Sequence, residues 1–106
     1  SNTAKIQMLE VPLDLIEKHG AVSAPVAMTM AEEIRSLSRT DFGIGITGIA
    51  GPEGGTPEKP VGLVYIALAD VRTTRVERYH FPPGRERVKF MSTQAALNLL
   101  RLRLLE

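Results

Sequence analysis

The sequence predicts an α/β domain in which helices cover both faces of a small sheet. Residues 42–49, 61–69 and 75–81 have the length, composition and flanking turn residues of strands. Residues 23–38 and 85–105 repeat apolar side chains at the spacing of amphipathic helices. Because no helical pattern separates the three strands, we expect a meander whose middle strand is antiparallel to its neighbours.

Length and composition indicate one small domain, residues 1–106. Thirteen basic and twelve acidic residues give a net charge of +1, which offers no argument for nucleic acid or an anionic membrane as a partner. The lack of cysteine excludes disulfides and thiolate nucleophiles, and the two isolated histidines, His19 and His80, are interpreted as structural. No apolar run reaches membrane-spanning length and no signal peptide is visible, so we expect a cytoplasmic protein without a metal or other cofactor.

Two short helices are expected at the start of the chain. The spacing of Ile6 and Leu9 predicts a helix over residues 3–9. Pro12 is placed to open a second helix, because a proline at the first helical position loses no hydrogen bond. Gly20 is placed to end that helix.

A longer helix is expected next, from the N-cap Ser23 to about Ser38. The apolar residues that share one of its faces are Val26, Met30, Ile34 and Leu37. Polar and charged residues lie opposite, so this apolar face is the one expected to pack.

The strand at 42–49 alternates glycine with large apolar residues. On one face lie Phe42, Ile44 and Ile46, and on the other Gly43, Gly45 and Thr47. Glycine inside a strand weakens it unless something approaches the backbone closely, which here would be a packed helix or a ligand. Thr47 is at the carboxyl end of the strand, where ligands bind in open α/β sheets.

The last helix begins near Arg85. Its expected apolar stripe consists of Val88, Met91, Ala95, Leu99 and Leu102. Arg85, Arg87 and Lys89 place three cations at its N-terminus, where the helix dipole disfavours them. This arrangement indicates either a nearby anion or pairing with an acid such as Glu86.

A Gly/Pro-rich loop, residues 47–60, joins the first two strands. It contains four of the nine glycines and three of the seven prolines. Because proline fixes φ and glycine permits positive φ, we expect a defined shape whose N–H groups can face an anion or a carbonyl oxygen. The loop has neither a Walker A motif nor a dinucleotide fingerprint, and a rigid connection between strands is the alternative interpretation.

The loop and the strand after it resemble a known family. The residues concerned are Thr47-Gly48-Ile49-Ala50-Gly51-Pro52, Gly54-Gly55-Thr56-Pro57, Lys59-Pro60-Val61-Gly62 and Val64-Tyr65-Ile66-Ala67. Together they resemble the signature of the CinA C-terminal domain family, of the nicotinamide-nucleotide amidase (PncC) type. The resemblance also includes residues 1–5, 19–23, Arg85 and 94–97, so it covers essentially the whole chain.

The resemblance implies a three-layer α/β/α sandwich with a mixed five-stranded sheet, of which three strands are expected in this chain. In the family, a preceding segment carries a strand and a motif of the type Ala-Glu-Ser-Cys-Thr-Gly-Gly, whose serine is believed to be the nucleophile. That motif is absent from these residues. The strand at 42–49 is therefore expected to leave an edge for the preceding segment or a partner chain to cover.

The activity implied is hydrolysis of the carboxamide of nicotinamide mononucleotide to nicotinic acid mononucleotide and ammonia. The resemblance implies two catalytic residues, Lys5 and Thr47, with Lys5 as the base. It implies five substrate-binding residues, namely Asn2, Gly48, Ala50, Gly51 and Arg85. Family members tend to show Gly-Asp-Arg where this chain has Pro83-Gly84-Arg85, so the turn that presents Arg85 is expected to differ.

A second class of function remains open from the sequence. The alternative is a non-catalytic nucleotide-binding or interaction module of a competence-damage-inducible CinA-like protein. In both cases the expected ligand is a small nucleotide, and the expected assembly is a homo-oligomer.

Overall fold

The structure, a computed structural model, describes residues 4–12, 22–52 and 54–106 and shows a sheet between two helices. In chain order its elements are β1 (Ile6–Pro12), α1 (Ala24–Ser38), β2 (Phe42–Gly48), β3 (Leu63–Ala69), β4 (Thr74–His80) and α2 (Arg85–Leu104). The strands lie in the order β1-β2-β3-β4, with β1 parallel to β2 and the other two pairs antiparallel. The predicted α/β class and the meander of the last three strands are confirmed.

The predicted helix over residues 3–9 is wrong, because residues 6–12 form β1. This strand pairs in parallel with β2 along its whole length. The alternation of Ile6 and Met8 suits a strand as well as a helix, and the ladder on β2 decides between them. The described sheet therefore has four strands and not three. The edge of β2 that was expected to be open is occupied by β1.

Pro12 is the last residue of β1 and does not open a helix. The rest of the second expected helix, residues 13–20 with His19, lies outside the described residues. The candidate residue Asn2 lies outside them as well.

The predicted long helix is confirmed as α1, together with its N-cap. Ser23 has extended backbone angles, and its Oγ accepts a hydrogen bond from the N–H of Val26 at 3.4 Å. The helix ends at Arg39, which takes left-handed angles and donates its N–H to the carbonyls of Arg35 and Ser36. Both ends are therefore capped, which fixes the length of the helix.

α1 packs on β2 through glycine and alanine. A Cβ added to Gly45 would lie 2.5 Å from the carbonyl oxygen of Ala27, and one added to Gly43 would overlap the carbonyl oxygen of Ala31. Both alanines are fully buried, whereas Leu37, on the face expected to pack, is 82% exposed. Of the two explanations for the strand glycines, the structure shows the packed helix.

The other face of the sheet carries the main apolar core, which α2 covers. The buried residues of this core are Ile44, Ile46, Ala50, Val64, Ile66, Leu68, Val88, Ala96 and Leu100. The expectation of helices on both faces is confirmed. The buried residues of α2 are Val88, Ser92, Ala96, Leu100 and Arg103. After Val88, each buried residue is one position later than the corresponding residue of the expected stripe. The last residue of the expected stripe, Leu102, is 46% exposed.

A largely buried ion pair connects the end of α2 to the turn between β3 and β4. The Nη1 of Arg103 bonds to the Oδ2 of Asp70, and the two side chains are 6% and 13% exposed. Asp70 Oδ1 also accepts the N–H groups of Arg72 and Thr73, each at 2.8 Å. Desolvation alone would raise the pKa of Asp70, but the bonds from Thr73, Arg72 and Arg103 outweigh it, so the pKa lies below its ordinary value.

Candidate functional site

Thr47 lies at the carboxyl end of β2, as predicted. It is 1% exposed and is on the same side of the sheet as Gly43 and Gly45, the side that faces α1. Its partner across the ladder to β3 is Tyr65, which packs against the buried cluster of Val22, Ile49 and Leu63. The position of Thr47 fits a ligand site at the end of a strand, and its catalytic role stays a prediction.

The chain leaves β2 through a loop that returns beside its own start. The N–H of Ile49 donates to the carbonyl of Leu63 at 2.9 Å, and the N–H of Gly62 donates to the carbonyl of Ile49 at 2.6 Å. Farther out, the N–H of Thr56 donates to the carbonyl of Lys59 at 2.9 Å, and the N–H of Lys59 donates to the Thr56 hydroxyl at 3.0 Å. These bonds give the loop a defined shape, as the glycines and prolines predict.

Ala50 and Gly51 form the part of the loop next to β2, and both are buried. Gly51 has a φ of 88°, a conformation that residues with a side chain rarely adopt. Among the hydrogen bonds between described residues, none has the N–H of Ala50 or Gly51 as its donor. Because buried N–H groups nearly always have a partner, these two amides suit hydrogen bonding to an oxygen atom of a ligand.

The first turn of α2 lies against the same loop. The N–H of Gly84, the N-cap of α2, donates to the carbonyl of Ala50 at 3.4 Å. Gly84 has a φ of 133°, which accounts for a glycine where the resembled family tends to have Asp. The next residue, Arg85, opens a helix of 20 residues whose N-terminus carries partial positive charge. Arg85 is therefore at the same end of the sheet as Thr47.

Lys5 lies at the opposite end of the sheet. Its N–H donates to Asp41 Oδ2 at 2.8 Å, and its carbonyl accepts the N–H groups of Asp41 and Phe42 at 2.8 and 3.0 Å. From Phe42 to Thr47 the rise of a strand amounts to about 17 Å. The structure thus brings Thr47, Gly48, Ala50, Gly51 and Arg85 to one end of the sheet but not Lys5, whose catalytic role rests on the resemblance alone.

Val61 and His80 belong to this region, although neither was among the candidate site residues. A Cβ added to Gly51 would overlap a methyl group of Val61, and one added to Gly55 would lie 2.6 Å from the Val61 nitrogen. The Nε2 of His80 is 3.3 Å from the Val61 carbonyl oxygen. The only signal in the sequence was the place of Val61 within the Lys59-Pro60-Val61-Gly62 stretch.

Within residues 4–12, 22–52 and 54–106, no three His, Cys, Asp or Glu side chains are grouped as metal ligands would be. Over the same ranges, no helix has the length and apolar character needed to cross a membrane. At the carboxyl end of β2 the described residues offer a hydroxyl, backbone N–H groups and a guanidinium.

This architecture, a mixed sheet between two helices with a candidate ligand site where β2 meets its loop and α2, defines a layered α/β protein. The chain belongs to the CinA C-terminal domain family, whose model matches residues 1–104. It is 53% identical over 105 residues to a CinA-like protein of Citrifermentans bemidjiense, and this match covers 99% of the chain and 25% of the relative. A CinA-like protein of Syntrophus aciditrophicus is 54% identical over 102 residues, with 95% of the chain and 24% of the relative covered.

Solved structures give the same result for the fold. The competence damage-inducible protein A of Klebsiella pneumoniae has a TM-score of 0.77 and 32% identity, over 84% of this chain and 55% of that one. The competence/damage inducible protein CihA of Agrobacterium tumefaciens has a TM-score of 0.75 and 36% identity, over 78% and 52% of the two chains. The chain spans about a quarter of the length of these curated relatives and about half of these solved structures.

Proposed function

We propose that the complete domain hydrolyses the carboxamide of nicotinamide mononucleotide to nicotinic acid mononucleotide and ammonia. The supporting observation is that the buried Thr47, the amides of Ala50 and Gly51 and the first turn of α2 lie at the same end of the sheet. Hydrolysis of an amide on a nucleotide needs donors for the developing oxyanion and a cation for the phosphate. Membership of the CinA C-terminal domain family, with its resemblance to nicotinamide-nucleotide amidases, supplies the choice of substrate.

In this proposal the amides of Ala50 and Gly51 receive the carboxamide oxygen as it gains negative charge. Their position is fixed before the reaction by the bonds that anchor Ile49 and the Ala50 carbonyl. Donors that are already in place cost no reorganisation in the transition state, which is why such groups contribute strongly to catalysis. The Thr47 hydroxyl, three residues before Ala50, is assigned to orienting the reacting amide. Gly48 is assigned to the substrate contact that the resemblance implies, and the space beside it is occupied by Leu63 and Val64 of β3.

The phosphate is assigned to Arg85 and the N-terminal turn of α2. A guanidinium can hold phosphate oxygens through two parallel hydrogen bonds, and the helix N-terminus favours the same charge. A bound phosphate would also offset the repulsion between the helix dipole and the cations at positions 85, 87 and 89.

The nucleophile is assigned to the serine of the family motif, which the 106 residues do not contain. Its Oγ attacks the carboxamide carbon and passes its proton to a base. The base returns this proton to the leaving nitrogen, so the C–N bond breaks, ammonia departs and the acyl group stays on the serine as an ester. Water then hydrolyses the ester to the carboxylate and restores the serine. The resemblance gives the base as Lys5 and a substrate contact as Asn2. Because Lys5 is about 17 Å along the sheet from Thr47, this role requires residues 4–12 to lie differently in the complete domain.

Ammonia release from nicotinamide mononucleotide by the complete domain tests the proposal. We expect one ammonia for each nicotinic acid mononucleotide formed, and neither product from the 106-residue chain alone. Binding of the nucleotide to the complete domain without release of ammonia would refute the amidase.

That second outcome would favour the other candidate, a non-catalytic nucleotide-binding module. One observation supports it: the separation of Lys5 from Thr47, which leaves the described site without the base that the resemblance implies. A module of this kind would bind nicotinamide mononucleotide and nicotinic acid mononucleotide alike and convert neither.

A further inference from the structure

The side chain of Val61 fills the inside of the Gly/Pro-rich loop. A Cβ on Gly51 would overlap its Cγ1, and a Cβ on Gly55 would lie 2.9 Å from its Cγ2. Gly51 also has a φ of 88°. Because both glycines approach Val61 more closely than a residue with a side chain could, Val61 determines where Gly51 and Gly55 lie.

The backbone of Val61 is held in turn by the end of β4. The Nε2 of His80 lies 3.3 Å from the carbonyl oxygen of Val61. A carbonyl oxygen can only accept, so in this contact Nε2 carries the hydrogen and donates it. The N–H of Phe81 donates to the carbonyl of Gly62 at 2.9 Å, and a Cβ on Gly62 would overlap the Phe81 carbonyl oxygen.

The same segment is bonded to the part of the loop that carries the candidate oxyanion donors. The N–H of Gly62 donates to the carbonyl of Ile49 at 2.6 Å. Ile49 precedes Ala50, whose own carbonyl accepts the N–H of Gly84 at 3.4 Å. Consecutive bonds therefore connect the end of β4, the returning arm of the loop and the amides next to β2.

We infer that His80 and Val61 are positioning residues for the N–H groups of Ala50 and Gly51. His80 holds the Val61 carbonyl, and the Val61 side chain holds Gly51 through direct contact. Neither residue needs to touch a substrate. The inference goes beyond the proposed function and rests on it only where it concerns catalysis, because the positions of the two amides can be measured without turnover.

Hydrogen exchange in the complete domain provides the first measurement. His80→Ala removes the donor, His80→Gln keeps an N–H donor on a side chain of similar reach, and Glu77→Ala is a matched control at an exposed position of the same strand. Loss of one such bond is expected to speed exchange at residues 49–62 about two- to tenfold in His80→Ala, with wild-type rates in the other two variants. Equal exchange in His80→Ala and Glu77→Ala, or no recovery in His80→Gln, would overturn the inference.

Turnover provides the second measurement. Misplaced oxyanion donors act on the transition state, so His80→Ala is expected to lower kcat about tenfold while KM for nicotinamide mononucleotide stays within about twofold. Val61→Ala should act in the same way, with Val71→Ala, a valine that is 78% exposed, as its control. A fall in unfolding midpoint with kcat unchanged would mean a purely structural role and would overturn the inference. If the wild-type domain releases no ammonia, the proposed function fails by itself and hydrogen exchange alone decides the positioning.

Discussion

Gly45 and Ala27 are in backbone contact across the interface between β2 and α1. A Cβ added to Gly45 would stand 2.5 Å from the Ala27 carbonyl oxygen and 2.7 Å from the nitrogen of Ala31. Both obstacles are backbone atoms, which cannot rotate away as a side chain can. Gly45→Ala must therefore push α1 off the sheet, and we expect a loss of about 1–3 kcal/mol in the free energy of unfolding.

Urea denaturation measures this loss. Thr29→Ala, at an exposed position of α1, is the control and should change the free energy of unfolding by no more than about 0.5 kcal/mol. A Gly45→Ala midpoint equal to that of the control would mean that the helix and strand adjust without cost.

Asp70 makes the stability of the fold depend on pH. Its folded pKa is below the ordinary value of 3.8, whereas the unfolded chain keeps that value. The folded state thus binds this proton less readily, so the contribution of Asp70 is fully present above about pH 4. It is lost as the pH falls through the lower folded pKa.

Urea midpoints of wild type and Asp70→Asn between pH 6 and pH 2 test this dependence. The wild type should be more stable than Asp70→Asn at pH 6, and the difference in their urea midpoints should shrink toward pH 2. Glu33→Gln, on the exposed side of α1, controls for the general effect of removing a carboxylate. A difference between the two midpoints that stays constant from pH 6 to pH 2 would show that Asp70 does not cause the pH dependence of stability.

Thr47→Val removes a buried hydroxyl and nearly keeps the shape of the side chain. We expect the complete domain to stay folded, with a stability change of about 1 kcal/mol. Its kcat for ammonia release should fall about 100-fold, the usual size for losing one polar contact at the reacting group. Thr47→Ser restores the hydroxyl and should restore most of the rate. An unchanged rate in Thr47→Val would reduce Thr47 to a strand residue.

Lys5→Ala tests the catalytic residue that lies at the far end of the sheet from Thr47. We expect the complete domain to lose turnover, as the family resemblance implies, with little loss of stability because Lys5 is exposed. This result would require residues 4–12 to leave the position they occupy beside β2 here. Ammonia release at the normal rate would instead agree with the position of Lys5 beside the start of β2 and would show that Lys5 is not a catalytic residue. Lys59→Ala, on the loop, is the charge-matched control.

Arg85→Ala tests the phosphate contact in the complete domain. Loss of a charge-assisted hydrogen bond costs about 1.5–3 kcal/mol, or about tenfold or more in affinity. Binding of nicotinamide mononucleotide should weaken by that factor, and binding of the phosphate-free riboside should not. Arg87→Ala, in the same exposed turn, should affect neither ligand strongly. Equal weakening of both ligands by Arg85→Ala would show that Arg85 does not recognise the phosphate.

The elements with strong local signals were predictable from the sequence. Ser23 caps α1 as its side chain predicts, and the three strands from β2 to β4 follow from apolar runs between turn residues. β1 was not predictable, because a strand of seven residues on an edge is defined by its partner and not by its own pattern. Residues 6–12 alone give no sign of pairing with β2.

The faces of both helices were also misassigned, for a physical reason. On α1 the bulky residues pointed to one face, but the buried residues of the helix, which lie against the glycines of β2, are Ala27 and Ala31. On α2 the buried stripe includes Arg103, which a hydrophobic pattern cannot find because its burial depends on Asp70. Similarly, Thr47 and the loop that follows it could be predicted as a site from their position after a strand. The hydrogen bond between Gly84 and Ala50 could not, because the two residues are far apart in sequence and come together only in the folded chain.

The parallel pairing of β1 with β2 bears on the order in which the sheet assembles. Ile6 lies opposite Phe42, so this ladder joins residues far apart in sequence, whereas the short turn at residues 70–73 joins β3 to β4. Closing a long loop costs more entropy and is slower than closing a hairpin. Among the described strands, β1 is therefore expected to join last during folding and to detach first during unfolding. The β2 edge would then be the first to lose its partner.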